Sequence, residues 1–314
     1  MTVAHFALGG KRIWIAGHGG MVGQALIRRL GHEPCECLTA PRTIDLRERA
    51  AVDRWLGENR PDAIILAAAS VGGILANATR PAEFLYDNLA IATNVIDAAH
   101  RHDVGKLLFL GSSCIYPRDA AQPIGEEALL SGPLEPTNEA YAIAKIAGLK
   151  LAAAYRAQYG RDFISAMPTN LYGPGDNWDP ATSHVVPALI RKAHAAKLAQ
   201  AGSFSIWGSG TPRREFLHVD DLADACVMLL QDYSDVRPIN VGSGEDIAIG
   251  DLAKLVAEVV GFEGEIATDP SKPDGTPRKL MDNSRIAAMG WTPSISLRQG
   301  LEQAYAAYLA EASA

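Results

Sequence analysis

Cysteine is scarce in this chain: Cys35, Cys37, Cys114 and Cys226 are the only four among 314 residues. That is too few for a disulfide framework, and none stands in the paired spacing of a zinc site. Cys35 and Cys37 read as core thiols, and a reducing, cytoplasmic setting is expected. An excess of positive charge is lacking too. Lys and Arg number 29 against 36 Asp and Glu, a formal net charge of −7. Such a chain has no overall attraction to nucleic acid or anionic lipid, so neither is expected as a partner, and an anionic ligand must be met by local cations. Long apolar runs are missing. The uncharged stretch Ala63 to Thr79 is broken by glycine, serine and asparagine and falls short of a membrane span. Met1 to Gly10 has neither the basic start nor the apolar stretch of a secretory leader. Repeats and low-complexity tracts are absent. What is present is core material: 48% of the residues are hydrophobic, enough for about two domains in a chain of this length.

The first half alternates strand and helix signals. Arg12 to Ala16 is apolar and β-rich, and Gln24 to Leu30 reads as a helix. Strands are predicted at Cys35 to Thr39, Ala63 to Ala67, Lys106 to Leu110 and Asp162 to Met167, with helices at Leu46 to Glu58, Ala82 to His102 and Thr137 to Tyr159. Parallel neighbours need crossover helices, so this alternation predicts an α/β fold with a doubly wound parallel (Rossmann) sheet. After Asn170 prolines and glycines punctuate the chain, and two helices stand out, Asp251 to Val260 (closed by Gly261) and Leu297 to Leu309. The expected organisation is a dinucleotide-binding domain over residues 1–170 and a mainly substrate-binding lobe over 171–314, some of whose segments return to the first sheet.

Gly17, Gly20 and Gly23 follow the first strand directly and precede a helix. The first permits a tight turn, the second lets backbone approach a pyrophosphate, and the third lets helix pack on strand. An NAD site usually has an acid about twenty residues on, at the end of the second strand. Here the residues are Leu38-Thr39-Ala40-Pro41-Arg42, with no acid. Arg42 is a candidate for a 2′-phosphate, which points to NADP(H), with NAD(H) as the alternative. Tyr141 and Lys145 stand four apart on a predicted helix and share a face. An ammonium beside a tyrosine favours its phenolate, which makes Tyr141 a candidate acid–base. Ser112 follows a predicted strand end, where an open parallel sheet binds its ligands.

Together the glycine turn, this serine and Tyr-x-x-x-Lys resemble the extended short-chain dehydrogenase/reductase superfamily. The segments Val71-Gly72-Gly73-Ile74, Gly111 to Pro117, Pro136 to Lys145, Pro168 to Pro174, Ser183 to Ala188 and Trp207 to Pro212 make the likeness narrower. From about Lys11 to the last helix the chain is similar to the GDP-L-fucose synthase family of 3,5-epimerase/4-reductases. The resemblance implies a GDP-linked 4-keto-6-deoxy sugar as substrate and a homodimer. It implies Ser112, Tyr141 and Lys145 as the reduction set, and Cys114 with His184 as the epimerisation pair. For the cofactor it implies Gly17, His18, Gly19, Gly20, Met21, Val22, Gly23, Arg42, Leu110, Gly111, Ser112, Tyr141, Lys145, Pro168, Asn170, Leu171 and His184. Lys192, Trp207, Arg214 and Asp274 would contact substrate. No metal is implied. The 4,6-dehydratase relatives carry an Asp-Glu pair where this chain has Ser113-Cys114, so elimination of water lacks its acid–base pair. Family members commonly have arginine where this chain has Gly19 and another basic residue at Pro41, which weakens the selection for NADPH. Two other readings stand beside this one: another nucleotide-linked 4-keto sugar such as a 6-deoxyheptose, or a catalytically silent dinucleotide-binding protein.

Overall fold

The computed structural model describes residues 5–272 and 274–312, without the side chains of 74 and 75. The leader reading at Met1 to Ala4 lies outside the described residues. The first half runs β1 (Arg12–Ala16), α1 (Met21–Leu30), β2 (Glu36–Leu38), α2 (Arg49–Asn59), β3 (Ala63–Leu66), α3 (Ile74–Thr79), α4 (Pro81–Arg101), β4 (Lys106–Leu110), α5 (Glu139–Tyr159) and β5 (Asp162–Pro168). These strands form a parallel sheet in the order β2-β1-β3-β4-β5, and β9 (Ile239–Val241) adds a sixth beside β5. After β2 the chain crosses back over β1 to start β3, so the order reverses between β1 and β3. Ligands bind at such a reversal, outside the carboxyl ends of the strands.

Alternate residues of each strand go to opposite faces. Ile13 and Ile15 join one core with Leu26 of α1 and Leu222 of α7 (Val219–Asp232). Trp14 and Ala16 join the other with Val52 of α2, Val95 of α4 and Leu149 of α5. Both faces are covered, which explains the continuous apolar runs. Cys35 and Cys37 are half-buried at the rim of the first core, and all four cysteines are free thiols.

The second lobe is built on β6 (Asn170–Tyr172), α6 (Val185–Leu198), β7 (Ser203–Trp207), β8 (Arg213–His218), β10 (Asp246–Ala248), α8 (Ile249–Val260), β11 (Glu265–Asp269), β12 (Arg278–Lys279) and α10 (Leu297–Ala312), while α9 (Ser284–Ala288) packs back against β9 of the first sheet. β8 pairs with β6, β10 and β12, and β7 pairs with β11. Leu189, Ile190, Phe204, Phe216, Val256 and Leu301 fill its core.

Four helices are not read from the sequence. In α7 nine of fourteen residues are buried, Val219 and Asp221 to Ala223 among them, and Asp220, Asp224, Gln231 and Asp232 gather on the other side, so the stripe is there but lies in the half whose prolines and glycines read as punctuation. In α6, Pro187 reads as punctuation. It occupies the first turn instead, where a missing N–H costs nothing. The other two, α3 and α9, are six and five residues long. The predicted start of the central helix at Thr137 is corrected as well. Pro136–Asn138 forms a separate 3-10 turn, and α5 begins at Glu139.

Candidate active site

One cleft of about 1220 Å³ opens at the carboxyl edge of the sheet, between it and the second lobe. Every residue singled out above as catalytic, cofactor-binding or substrate-binding lines this cleft.

The floor is the turn after β1. Gly17 has φ +100°, and a Cβ there would lie 2.5 Å from the Ala68 amide nitrogen. A Cβ on Gly23 would stand 2.1 Å from the Gly17 carbonyl oxygen. Both positions therefore require glycine. At Gly20, by contrast, a Cβ would meet nothing nearer than 3.7 Å, so there glycine keeps the approach from the cleft open. The first turn of α1 carries no acid and faces the cleft with free N–H groups, a cradle suited to phosphates. The Arg42 guanidinium lies 3.6 Å from where a Cβ on Gly19 would be. Arg42 is exposed and forms no ion pair among the described residues, whereas Arg47 nearby is held by Asp45 and Asp87. The residues present thus fit a dinucleotide with a 2′-phosphate.

The wall is the face of α5. Lys145 is buried, and its Nζ donates to the Leu110 carbonyl at 2.8 Å. The ammonium lies 5.8 Å from the Tyr141 ring centroid. Burial lowers the Lys145 pKa to about 8, and Cys114 opposes the change. Tyr141 departs from expectation. Burial, and then Cys114, push its phenol well above the ordinary value, and only its hydrogen bond with Ser112 acts the other way. The side chain is therefore a protonated phenol, not a phenolate. Asn170 donates through Nδ2 to the Glu215 carbonyl at 2.8 Å and ties β6 to β8 under the cleft.

Cys114 sits in a 3-10 turn, Ser113–Ile115, after β4, and is half-exposed to the cleft rather than packed in the core. Its backbone N–H donates to Ser112 Oγ at 3.2 Å. Its Sγ accepts from Asn138 Nδ2 at 3.3 Å, and the Lys279 ammonium is 4.0 Å away. His184 stands just before α6, and its side chain does not cap that helix. It is open to the cleft, yet the surrounding walls desolvate the imidazolium and hold the ring below its ordinary pKa.

The second lobe supplies cations that form no ion pair among the described residues, with Asp269 the carboxylate acting on Lys192 and Glu135 on Arg214. Lys192 donates to the Ser205 carbonyl at 2.9 Å, Arg214 Nη1 donates to the Arg213 carbonyl at 2.8 Å, and burial lowers both pKa values. Trp207 is 48% exposed, so it is a cleft side chain and not core. Asp274 also lines the cleft. It accepts from the Ser209 amide at 2.7 Å and the Ser209 hydroxyl at 2.9 Å, and so holds the turn that follows Trp207.

Sequence reasoning missed several cleft residues. Asn77 Oδ1, Asn138 Oδ1, Ser183 Oγ and Arg191 Nε are buried polar atoms without hydrogen bonds among the described residues, and their residues line the cleft. Asn138 lay inside a quoted motif, and its place three residues before Tyr141 was the available signal. Among the described residues no group of three His, Cys, Asp or Glu is placed to hold a metal, and no helix is long and apolar enough to cross a membrane.

The fold and the cleft define a dinucleotide-dependent enzyme. Residues 13–242 match the model of the NAD dependent epimerase/dehydratase family, and the chain belongs to that family. Within it, the chain is 60% identical over 305 residues to a GDP-L-fucose synthase from Sinorhizobium fredii, covering 97% of each chain. A GDP-L-fucose synthetase from Naegleria fowleri bound to NADP superposes with a TM-score of 0.89 at 26% identity, over 99% of this chain and 98% of that one. A GDP-6-OMe-4-keto-L-xylo-heptose reductase from C. jejuni does so at 0.91 and 35% identity, over 98% and 100%.

Proposed function

We propose that this enzyme epimerises GDP-4-keto-6-deoxy-D-mannose at C3 and C5 and reduces it at C4 with NADPH, giving GDP-L-fucose. The observation that carries the reading is the meeting of two acid–base sets in one cleft: Ser112, Tyr141 and Lys145, and Cys114 with His184.

A 4-keto sugar has acidic C–H bonds at C3 and C5, because the carbanion spreads into the carbonyl as an enolate. Cys114 takes that proton, and the Lys279 ammonium stands 4.0 Å from its sulfur. His184 returns a proton to the opposite face. It must first be charged, and the diphosphate of the bound substrate favours the imidazolium. Ser112 and Tyr141 hydrogen-bond the C4 oxygen and stabilise the enolate as its charge develops. When bound, NADPH supplies the hydride for C4. Tyr141, kept protonated by burial, gives its proton to the C4 oxygen, and Lys145 holds a ribose hydroxyl. Arg42 takes the 2′-phosphate. Lys192 and Arg214 meet the GDP diphosphate, and Trp207 offers a flat face to base or sugar. Residues 1–170 thus serve mainly the cofactor and 171–314 mainly the sugar nucleotide. The same reading includes a homodimer in a reducing, cytoplasmic setting.

The test is consumption of NADPH and NADH, in parallel, with GDP-4-keto-6-deoxy-D-mannose and the purified protein. Oxidation of NADPH with GDP-L-fucose as product is expected. Cys114→Ser should lose epimerisation by about 100-fold or more, and Tyr141→Phe should lose reduction on the same scale. The heptose-reductase neighbour makes a 4-keto heptose the second substrate to try. Faster turnover of that sugar would overturn the fucose assignment. No turnover of either would leave a silent binding protein.

A further inference from the structure

Asn138 stands at the N-cap of α5, a position that asparagine usually fills to bond the free N–H groups of the first turn. It makes no such bond. Its Nδ2 donates instead to Cys114 Sγ at 3.3 Å, across a sequence separation of 24 residues. Its Oδ1 is buried with no hydrogen bond among the described residues, so the contact with sulfur is what the side chain is arranged to make. Asn138, Tyr141 and Lys145 fall at i, i+3 and i+7 and share one helix face. Cys114 is gripped at both ends, by Ser112 Oγ on its N–H and by Asn138 on its sulfur, and Ser112 also bonds Tyr141.

We propose that Asn138 is a positioning residue for epimerisation: its amide fixes the Cys114 rotamer and donates to the sulfur as it becomes a thiolate. The proton removed from carbon goes to that thiolate and gives a thiol. The N–H donor thus favours the state that starts the step, and nothing is consumed. Asn138 touches neither the Lys145–Leu110 hydrogen bond nor the glycine turn, so cofactor binding does not depend on it. The proposal rests on the function proposed above, which makes Cys114 the base.

Two measurements on Asn138→Ala and Asn138→Asp test it. The first needs no substrate. The rate of iodoacetamide labelling of Cys114 is followed against pH, with Cys114→Ser as the blank. Both variants should need a higher pH than the wild type for half-maximal labelling. An unchanged profile, or a shift to lower pH, would overturn the proposal, since the latter means that the amide presents its oxygen to a thiol. The second is uptake of deuterium from D₂O at C3 and C5 of GDP-4-keto-6-deoxy-D-mannose without NADPH. Exchange should slow about tenfold or more in both variants while NADPH Kd stays within twofold. Equal losses of exchange and NADPH affinity would mark Asn138 as merely structural and overturn the role. No exchange in the wild type would refute the proposed function instead, and the labelling profile would still decide what Asn138 does to the sulfur.

Discussion

Burial acts in opposite directions on the two titratable groups of α5. It lowers the Lys145 pKa to about 8 and raises the Tyr141 phenol, and each shift favours the neutral form. At neutral pH Lys145 remains mostly ammonium, because its pKa still lies above 7. The charge is lost as pH rises through about 8, well below the range in which an exposed lysine loses it. NADPH affinity should therefore begin to fall above about pH 8, by at most about tenfold per unit. Fluorescence titration measures it, and a Kd flat to about pH 9.5 would show that the ammonium does not hold the cofactor. The glycine turn and Tyr141 with Lys145 were legible in the sequence, because such patterns are local in sequence, whereas Asn77 and Arg191 carried no such pattern. The electrostatics of Tyr141 and Lys145 were not legible. The phenolate expected from a neighbouring lysine disregards the desolvation that comes from tertiary packing. Lys279, 165 positions from Cys114, gives no local signal at all.

At the level of elements, the reach of α5 into the sheet depends on one residue. A Cβ on Gly148 would lie 2.5 Å from the ring of Phe109 on β4 and 3.1 Å from Ala92 on α4. The helix can approach only because nothing is there. Gly148→Ala raises helix propensity but must push α5 outward, so a net loss of about 1–3 kcal/mol is expected from overpacking. Chemical denaturation measures it, and NADPH consumption should suffer too, because Tyr141 and Lys145 ride on the same helix. Unchanged stability would mean that Phe109 turns aside at no cost. Nothing in the sequence distinguishes this glycine from a weak helix position. The strands were readable because burial on both faces makes them uniformly apolar. The helices after Asn170 were less so: α7 lies in a stretch punctuated by prolines and glycines, and α6 has a proline in its first turn.

Across the whole molecule, a net charge of −7 coexists with a cleft whose lining has more cations (Arg42, Arg47, Lys145, Arg191, Lys192, Arg214 and Lys279) than carboxylates (Asp45, Asp87, Glu135, Asp176 and Asp274). Anionic ligands are drawn to that place while the rest of the surface repels them. Arg42 is the cation that bears on cofactor choice. Its guanidinium lies over Gly19, at the spot where relatives were expected to carry an arginine of their own. Arg42→Ala should lower kcat/KM for NADPH by roughly tenfold to a hundredfold, the loss of one charged hydrogen-bonding partner, and leave NADH within about twofold. Equal losses with both cofactors would remove Arg42 from the 2′-phosphate.

The chain does not finish one lobe before starting the other. Residues 219–241 return from the second lobe to lay α7 against α1 and to place β9 at the edge of the first sheet. A gene fragment ending near residue 170 would leave β5 as an unpaired edge and the apolar face that α7 covers open to water, which are the features that drive precipitation. The two lobes are therefore poor cassettes for recombination. A chimera that exchanges the sugar-binding half between relatives must carry α1 and the β5 edge with it, or choose its crossovers on either side of 219–241.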